Sequence, residues 1–164
     1  MDEFEAKKTG AKYALKSIAI GVLLFYLIPT IIFLLGNFSL KSLLWVTELD
    51  VYNWLFILNW IFFFFLFAFI FGRKAGFEIL IKKKDYEKIG MKYGVLTLIC
   101  ASFSGCLLGF FWEGFDNIGT GDDPFNDYFF KPIFWLTIFG ILPSILVGRW
   151  FGKKIKLKTK IKDE

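Results

Sequence analysis

Apolar residues in this chain are neither spaced to one face of a helix nor alternated along a strand. They come in four dense blocks, roughly 17–35, 51–71, 93–111 and 132–151. Each block is about twenty residues, which as a helix rising ~1.5 Å per residue covers ~30 Å, the thickness of a bilayer's hydrocarbon core. A soluble helix that is apolar on every side needs a large protein around it. With 164 residues, four spans leave no room for a second soluble domain. The pattern predicts an all-α integral membrane protein. It is a single membrane domain over 1–164, a four-transmembrane-helix up-down bundle whose short connections favour antiparallel neighbours, with a basic tail at 152–164.

Charge sharpens this into a topology. Segments 1–16, 73–92 and 149–164 carry 4, 7 and 7 Lys/Arg against 3, 3 and 2 Asp/Glu, a balance of +10. The intervening loops hold Lys41 and Lys131 against Glu48, Asp50, Glu113, Asp116, Asp122, Asp123 and Asp127, a balance of −5. Short loops rich in Lys and Arg stay in the cytoplasm, so both termini are expected there (N-in/C-in). Trp45, Tyr52, Trp54, Trp112, Tyr128 and Trp135 fall at the outer interface, and Tyr13, Tyr86, Tyr93 and Trp150 at the inner one, where amphipathic rings favour headgroup depth. Asp2, Glu3 and Glu5 interrupt a basic leader and no small-residue cleavage site follows the first block, so that block reads as a retained span. The preference for Lys over Arg suits an AT-rich bacterial genome, which makes the cell membrane, as a bacterial inner membrane, the expected location of this multi-pass chain.

Two sets of motifs suggest a duplicated two-helix hairpin. Gly21-Val22-Leu23 and Leu34-Leu35-Gly36 recur as Gly94-Val95-Leu96 and Leu107-Leu108-Gly109, an offset of 73. The second and fourth blocks end alike, in Gly72-Arg73-x-x-Gly76 and Gly148-Arg149-x-x-Gly152. Against repetition stands a plainer account, in which Arg snorkels at a helix end and Gly terminates it. Residues 77–89 have the composition of a short amphipathic helix on the inner surface. From Lys153 to Lys162, Lys alternates with Ile, Leu and Thr; a lone strand has nothing to pair with, so a disordered tail on anionic lipid is expected.

Candidate chemistry is thin. Small residues recur every four positions at Ala101, Gly105 and Gly109 in the third block and at Gly140, Ser144 and Gly148 in the fourth, a stripe that lets two helix backbones approach closely. Asn59 is the most conspicuous polar residue of the second block, and a hydrogen bond to Ser102 or Ser104 would satisfy it. Pro29 and Pro143 each free a carbonyl inside a span, which suits a kink. The acidic stretch 116–123 is rich in oxygen ligands but lacks EF-hand spacing, and Asn37-Phe38-Ser39 matches a glycosylation sequon beside the membrane. Cys100 and Cys106 sit six positions apart on one helix, on different faces and beyond disulfide reach. With no His in the chain, a metal or redox cofactor has nothing to build on.

No Asp, Glu or His lies inside any block, which removes proton relays and the base or acid pair that intramembrane hydrolysis requires. The expectation is a non-catalytic binding, accessory or immunity-type membrane protein, with a small channel or transporter for an ion or small molecule as the alternative. Expected partners are the lipid bilayer, anionic lipid headgroups at the cytoplasmic face, and a membrane-protein partner or a second copy of the chain. Nucleic acid is not among them, because the basic residues sit where topology demands and no nucleic-acid-binding fold fits between the spans.

Overall fold

A computed structural model of the protein describes residues 1–35, 51–114, 118 and 123–160, with side chains at 24–35, 51–56, 113, 139 and 158–160 outside the description. Among the described residues there is no strand. The described residues form four long helices: α1 (Glu3–Leu35), α2 (Val51–Leu80), α3 (Tyr86–Gly109) and α4 (Lys131–Lys160). α3 runs on into a π-helical turn at Phe110–Gly114, and a second one, Asn126–Phe130, leads into α4. Ile57–Leu80, of mean hydropathy 1.6, and Tyr86–Trp112, of mean hydropathy 2.0, are each long and apolar enough to cross a membrane. Asn126–Ile138 and Gly140–Leu157, bent by 51° against each other, make a third if counted as one span. The block 17–35 is helical throughout, but its side chains from 24 onward lie outside the described residues.

Each helix reaches well past its apolar block at the basic end. α1 begins at Glu3, fourteen residues before the block it carries, and α4 continues to Lys160. As far as Lys160 the tail is therefore helical, where its alternating Lys pattern suggests disorder. Phe151 and Ile155, four residues apart on α4, are 5% and 0% exposed, and their burial holds this stretch in helical form. Nor is 77–89 one amphipathic helix. α2 ends at Leu80, and α3 starts at Tyr86 behind Asp85, whose carboxylate accepts from the Glu87 amide at 2.9 Å and caps the new helix. Between them Lys83 takes a positive φ of 50°, which turns the chain. Ile79, Ile89, Phe151 and Ile155 join Ala14, Ala68, Ala75 and Tyr93 in one apolar cluster at the basic end of the helices.

The closest approaches are backbone on backbone. A Cβ built on Gly10 of α1 would lie 2.1 Å from the carbonyl oxygen of Gly72 and 2.7 Å from Gly76 Cα, both on α2; one on Gly76 would lie 2.4 Å from the Ala6 oxygen. The second hairpin repeats the arrangement. A Cβ on Gly90 of α3 would lie 2.2 Å from the Gly148 oxygen, and one on Gly152 would lie 2.1 Å from the Tyr86 oxygen, with Gly148 and Gly152 on α4. In both hairpins the pairs run antiparallel. Hydroxyl contacts repeat as well: Ser17 Oγ donates to the Tyr13 carbonyl and Thr97 Oγ1 to that of Tyr93, each at 2.8 Å.

These contacts correct the register of the internal repeat. Gly10-Ala11-Lys12-Tyr13-Ala14 matches Gly90-Met91-Lys92-Tyr93-Gly94 at an offset of 80, while Gly72 and Gly76 match Gly148 and Gly152 at 76. The offset of 73 pairs unlike positions, since a Cβ on Gly21 meets nothing within 4 Å whereas one on Gly94 would lie 2.6 Å from the Ser144 oxygen. The glycines of the two Gly-Arg motifs are contact points and not helix terminators, because both helices continue beyond them.

Candidate functional site

The polar groups with defined partners gather where α2, its connection to α3, and α4 meet. Glu78, near the end of α2, accepts from Tyr93 Oη of α3 at 2.8 Å and from Lys84 Nζ of the connection at 2.8 Å. One carboxylate thereby ties two helices and the turn between them. Glu87 does the same one interface on: it pairs with Arg149 of α4 at 2.8 Å and accepts from Tyr86 Oη at 3.2 Å. The ring of Tyr86 lies under Lys156 Nζ, 4.5 Å from its centroid. Of these groups Lys84, Tyr86, Glu87 and Lys156 line an open cleft of about 610 Å³, together with Leu80 and Lys83. Lys84 and Glu87 are engaged in ion pairs; Lys83 and Lys156 have none among the described residues.

Cation–π contacts mark the same end. Arg73 lies over Phe69, Lys74 over Phe71, Lys7 and Lys82 over Phe77, and Lys154 over Trp150, at 5.3–5.9 Å. An amphipathic cation draped over an aromatic ring is the arrangement that suits the boundary between lipid and water. At the opposite end the contacts are ring on ring, with Phe125 stacked on Phe129 at 4.9 Å and edge-on to Phe110 at 5.5 Å.

The small-residue stripe named from the sequence is divided by the structure. On α4, Gly140 faces Leu98, the Ser144 carbonyl faces Gly94, and Gly148 faces Gly90, so all three address α3. On α3, Gly105 addresses α2, where a Cβ would lie 2.8 Å from the Trp60 ring. Ala101 and Gly109 are buried on α3. Thus α4 packs against Gly90, Gly94 and Leu98, while Gly105 faces α2. The spacing Gly90-x-x-x-Gly94 was a usable signal, but it begins outside the apolar block where a search for membrane-packing motifs would start. Asn59 is half-buried on α2. Ser102 Oγ is fully enclosed and meets no hydrogen-bond partner among the described residues, so it does not supply the Asn–Ser bond.

Cys100 and Cys106 are both free thiols. Among the described residues no three His, Cys, Asp or Glu side chains converge as metal ligands do. The acidic stretch 116–123 lies outside the described residues except for Ile118 and Asp123, and Asn37 lies outside them altogether.

Substitution of Tyr93 by Phe isolates the Glu78 contact. The ring would keep its stack on Phe71 at 5.9 Å, and only the hydroxyl donor to Glu78 would go. A hydrogen bond to a charged group contributes about 1.5–3 kcal/mol, so thermal melts in detergent should show a drop of several degrees, whereas Tyr13→Phe, which lacks such an acceptor among the described residues, should change little. Equal shifts would remove the Glu78 contact from the account.

Helices of this length and apolarity, with mostly unburied apolar walls, define an α-helical membrane protein: only 11% of the most apolar stretch of Ile57–Leu80 is buried inside the molecule, leaving the rest to lipid. No protein-family model matches the chain, and neither a characterised protein nor a solved structure matches it.

Proposed function

We propose that the chain is a four-span protein of the cell membrane, a bacterial inner membrane, with both termini in the cytoplasm, and that its role is binding without catalysis. It is an accessory subunit of a membrane assembly or an immunity-type factor that engages a toxin. The observation that carries this reading is how the acids near the core are used. Glu78 is committed to Lys84 and Tyr93, and Glu87 to Arg149 and Tyr86. A carboxylate held between two donors serves as a fastener between helices and is poorly suited to move protons. A chain without His and with these two half-buried acids so engaged has its chemistry directed to holding a shape, and a held shape in lipid serves recognition.

A second reading, a small channel or transporter, is favoured by one feature, the 51° bend between Asn126–Ile138 and Gly140–Leu157. Bent or broken spans line substrate paths in many transporters. Affinity purification of the tagged full chain from native membranes separates the two. A stoichiometric protein partner is the expected result; ion-selective flux in liposomes holding this chain alone would replace the binding role with transport. Topology is tested on a Cys100→Ala, Cys106→Ala background with single cysteines introduced by Lys8→Cys or Asp123→Cys, both exposed positions. A membrane-impermeant maleimide should reach Asp123→Cys from outside intact cells and Lys8→Cys only after lysis. The reverse pattern would invert the orientation.

A further inference from the structure

We infer that the cleft between the α2–α3 connection and α4 is a binding site for the phosphate-bearing headgroup of an anionic lipid, with Lys83 and Lys156 as its direct ligands. The inference rests on the membrane placement proposed above. Three ammonium groups, Lys83, Lys84 and Lys156, face a common space of about 610 Å³. Lys84 is neutralised by Glu78, and Glu87, the acid opposite, is held by Arg149. Asp85, also in the wall, is turned to the α3 amides, where it accepts from Glu87 N at 2.9 Å. That leaves Lys83 of the α2–α3 connection and Lys156 of α4 as cations lining one cleft without an ion-pair partner among the described residues.

Their settings differ from those of ordinary surface lysines. Lys156 is positioned by the Tyr86 ring, 4.5 Å away, the closest cation–π approach among the described residues. Lys83 is presented by a backbone turn at φ 50°. Lys156 is thus held in place before a ligand arrives, which lowers the ordering cost of binding. The occupant is fixed by what adjoins the cleft. Ile79 and Leu80 line the cleft itself, and Ile81 and Leu157, next in sequence to lining residues, are 37% and 43% exposed, apolar surface that a free phosphate would not use and an acyl chain would. The surrounding segments hold a balance of +10, which draws anionic headgroups to this face.

The first half of the molecule lacks the counterpart. At the position repeating Glu87 it carries Lys7, paired with Glu3, and Arg73 lies over Phe69 where Arg149 meets Glu87. The site therefore belongs to one place in the fold and is no general property of a basic helix end.

The test uses the full chain in zwitterionic detergent. Its thermal shift and its retained lipid by native mass spectrometry are measured against added phosphatidylglycerol, phosphatidylcholine and inorganic phosphate. Phosphatidylglycerol alone should stabilise the protein. Lys83→Gly with Lys156→Gln keeps the turn, since glycine accepts a positive φ, and keeps length at 156. At roughly fivefold per cation, this pair should weaken the phosphatidylglycerol response by well over tenfold. Lys8→Gln with Lys12→Gln, the same charge change on an exposed face of α1 away from the cleft lining, should leave the response close to that of the unaltered chain. Equal losses in the two pairs would reduce the effect to diffuse attraction and overturn the site. Equal protection by inorganic phosphate would overturn the lipid assignment. Melting without lipid reports whether each variant is folded, and the maleimide pattern reports the topology separately, so failure of the cleft is distinguishable from failure of the placement.

Discussion

Gly148→Ala should lower the melting temperature of the purified protein by roughly 10 °C, whereas Gly21→Ala should leave it unchanged or raise it slightly. Both replace a helical glycine by the best helix former, a change that taken alone favours the helix by about 0.5–1 kcal/mol. What differs is the space. At Gly148 the new Cβ would lie 2.5 Å from the Gly90 oxygen and 3.1 Å from Met91 Cα; at Gly21 it meets nothing within 4 Å. A clash with a side chain can be relieved by a new rotamer, but a clash with main chain moves a whole helix. The cost therefore falls at or above the top of the usual 1–3 kcal/mol for overpacking, a large share of a margin of about 5–15 kcal/mol. Because Gly148 also neighbours Gly94, separation there loosens at least two turns of the α3–α4 contact. Equal, small shifts from both substitutions would show that the hairpin is not closed through its backbones.

Ile155→Ala is the second large effect. Ile155 lies four residues past the end of the fourth apolar block, yet it is fully buried and packs with Ile79, Ile89 and Phe151. Removing its side chain from that cluster should cost about 2–5 kcal/mol. Leu157→Ala, at a position 43% exposed, should stay within about 1 kcal/mol. Paired melts in detergent measure both. If the segment after 152 were a loose polybasic tail, the two substitutions would behave alike, and the helical extension of α4 would be refuted.

The same residue shows where reading the sequence runs out. Between 153 and 162 the lysines alternate with apolar residues, a period of two that masks the period-four pair Phe151 and Ile155 on which the helix is held. The alternation reflects solvent on three sides; the pair reflects a partner, and a partner is invisible along one strand of text. The turn at 81–85 was hidden for a different reason. It contains no Gly or Pro, and its positive φ falls on Lys83, where composition gives no hint. The apolar walls of α2 and α3 were legible because lipid imposes the same demand on every face. The Gly-Arg motifs were legible as a repeat, yet their partners were not. Gly10 to Gly72 spans four residues more than Gly90 to Gly148, so no single offset aligns both helices of the hairpin. Of the candidate site, the excess of basic charge could be read in advance. Which lysines remain unpaired depends on Glu78 and Glu87 finding Lys84 and Arg149, and that is a property of the folded chain.

Where two main chains touch, there is no rotamer to absorb a displacement. The glycine contacts at Gly10, Gly72, Gly90 and Gly148 make the basic end stiff, while at the far end Phe103, Phe110, Phe125 and Phe129 meet through rings that can turn. A push on the basic end is therefore passed along each hairpin as a rigid tilt and is taken up among the phenylalanines. Among the described residues, then, the contacts that cannot yield lie at the basic end and those that can turn lie at the other.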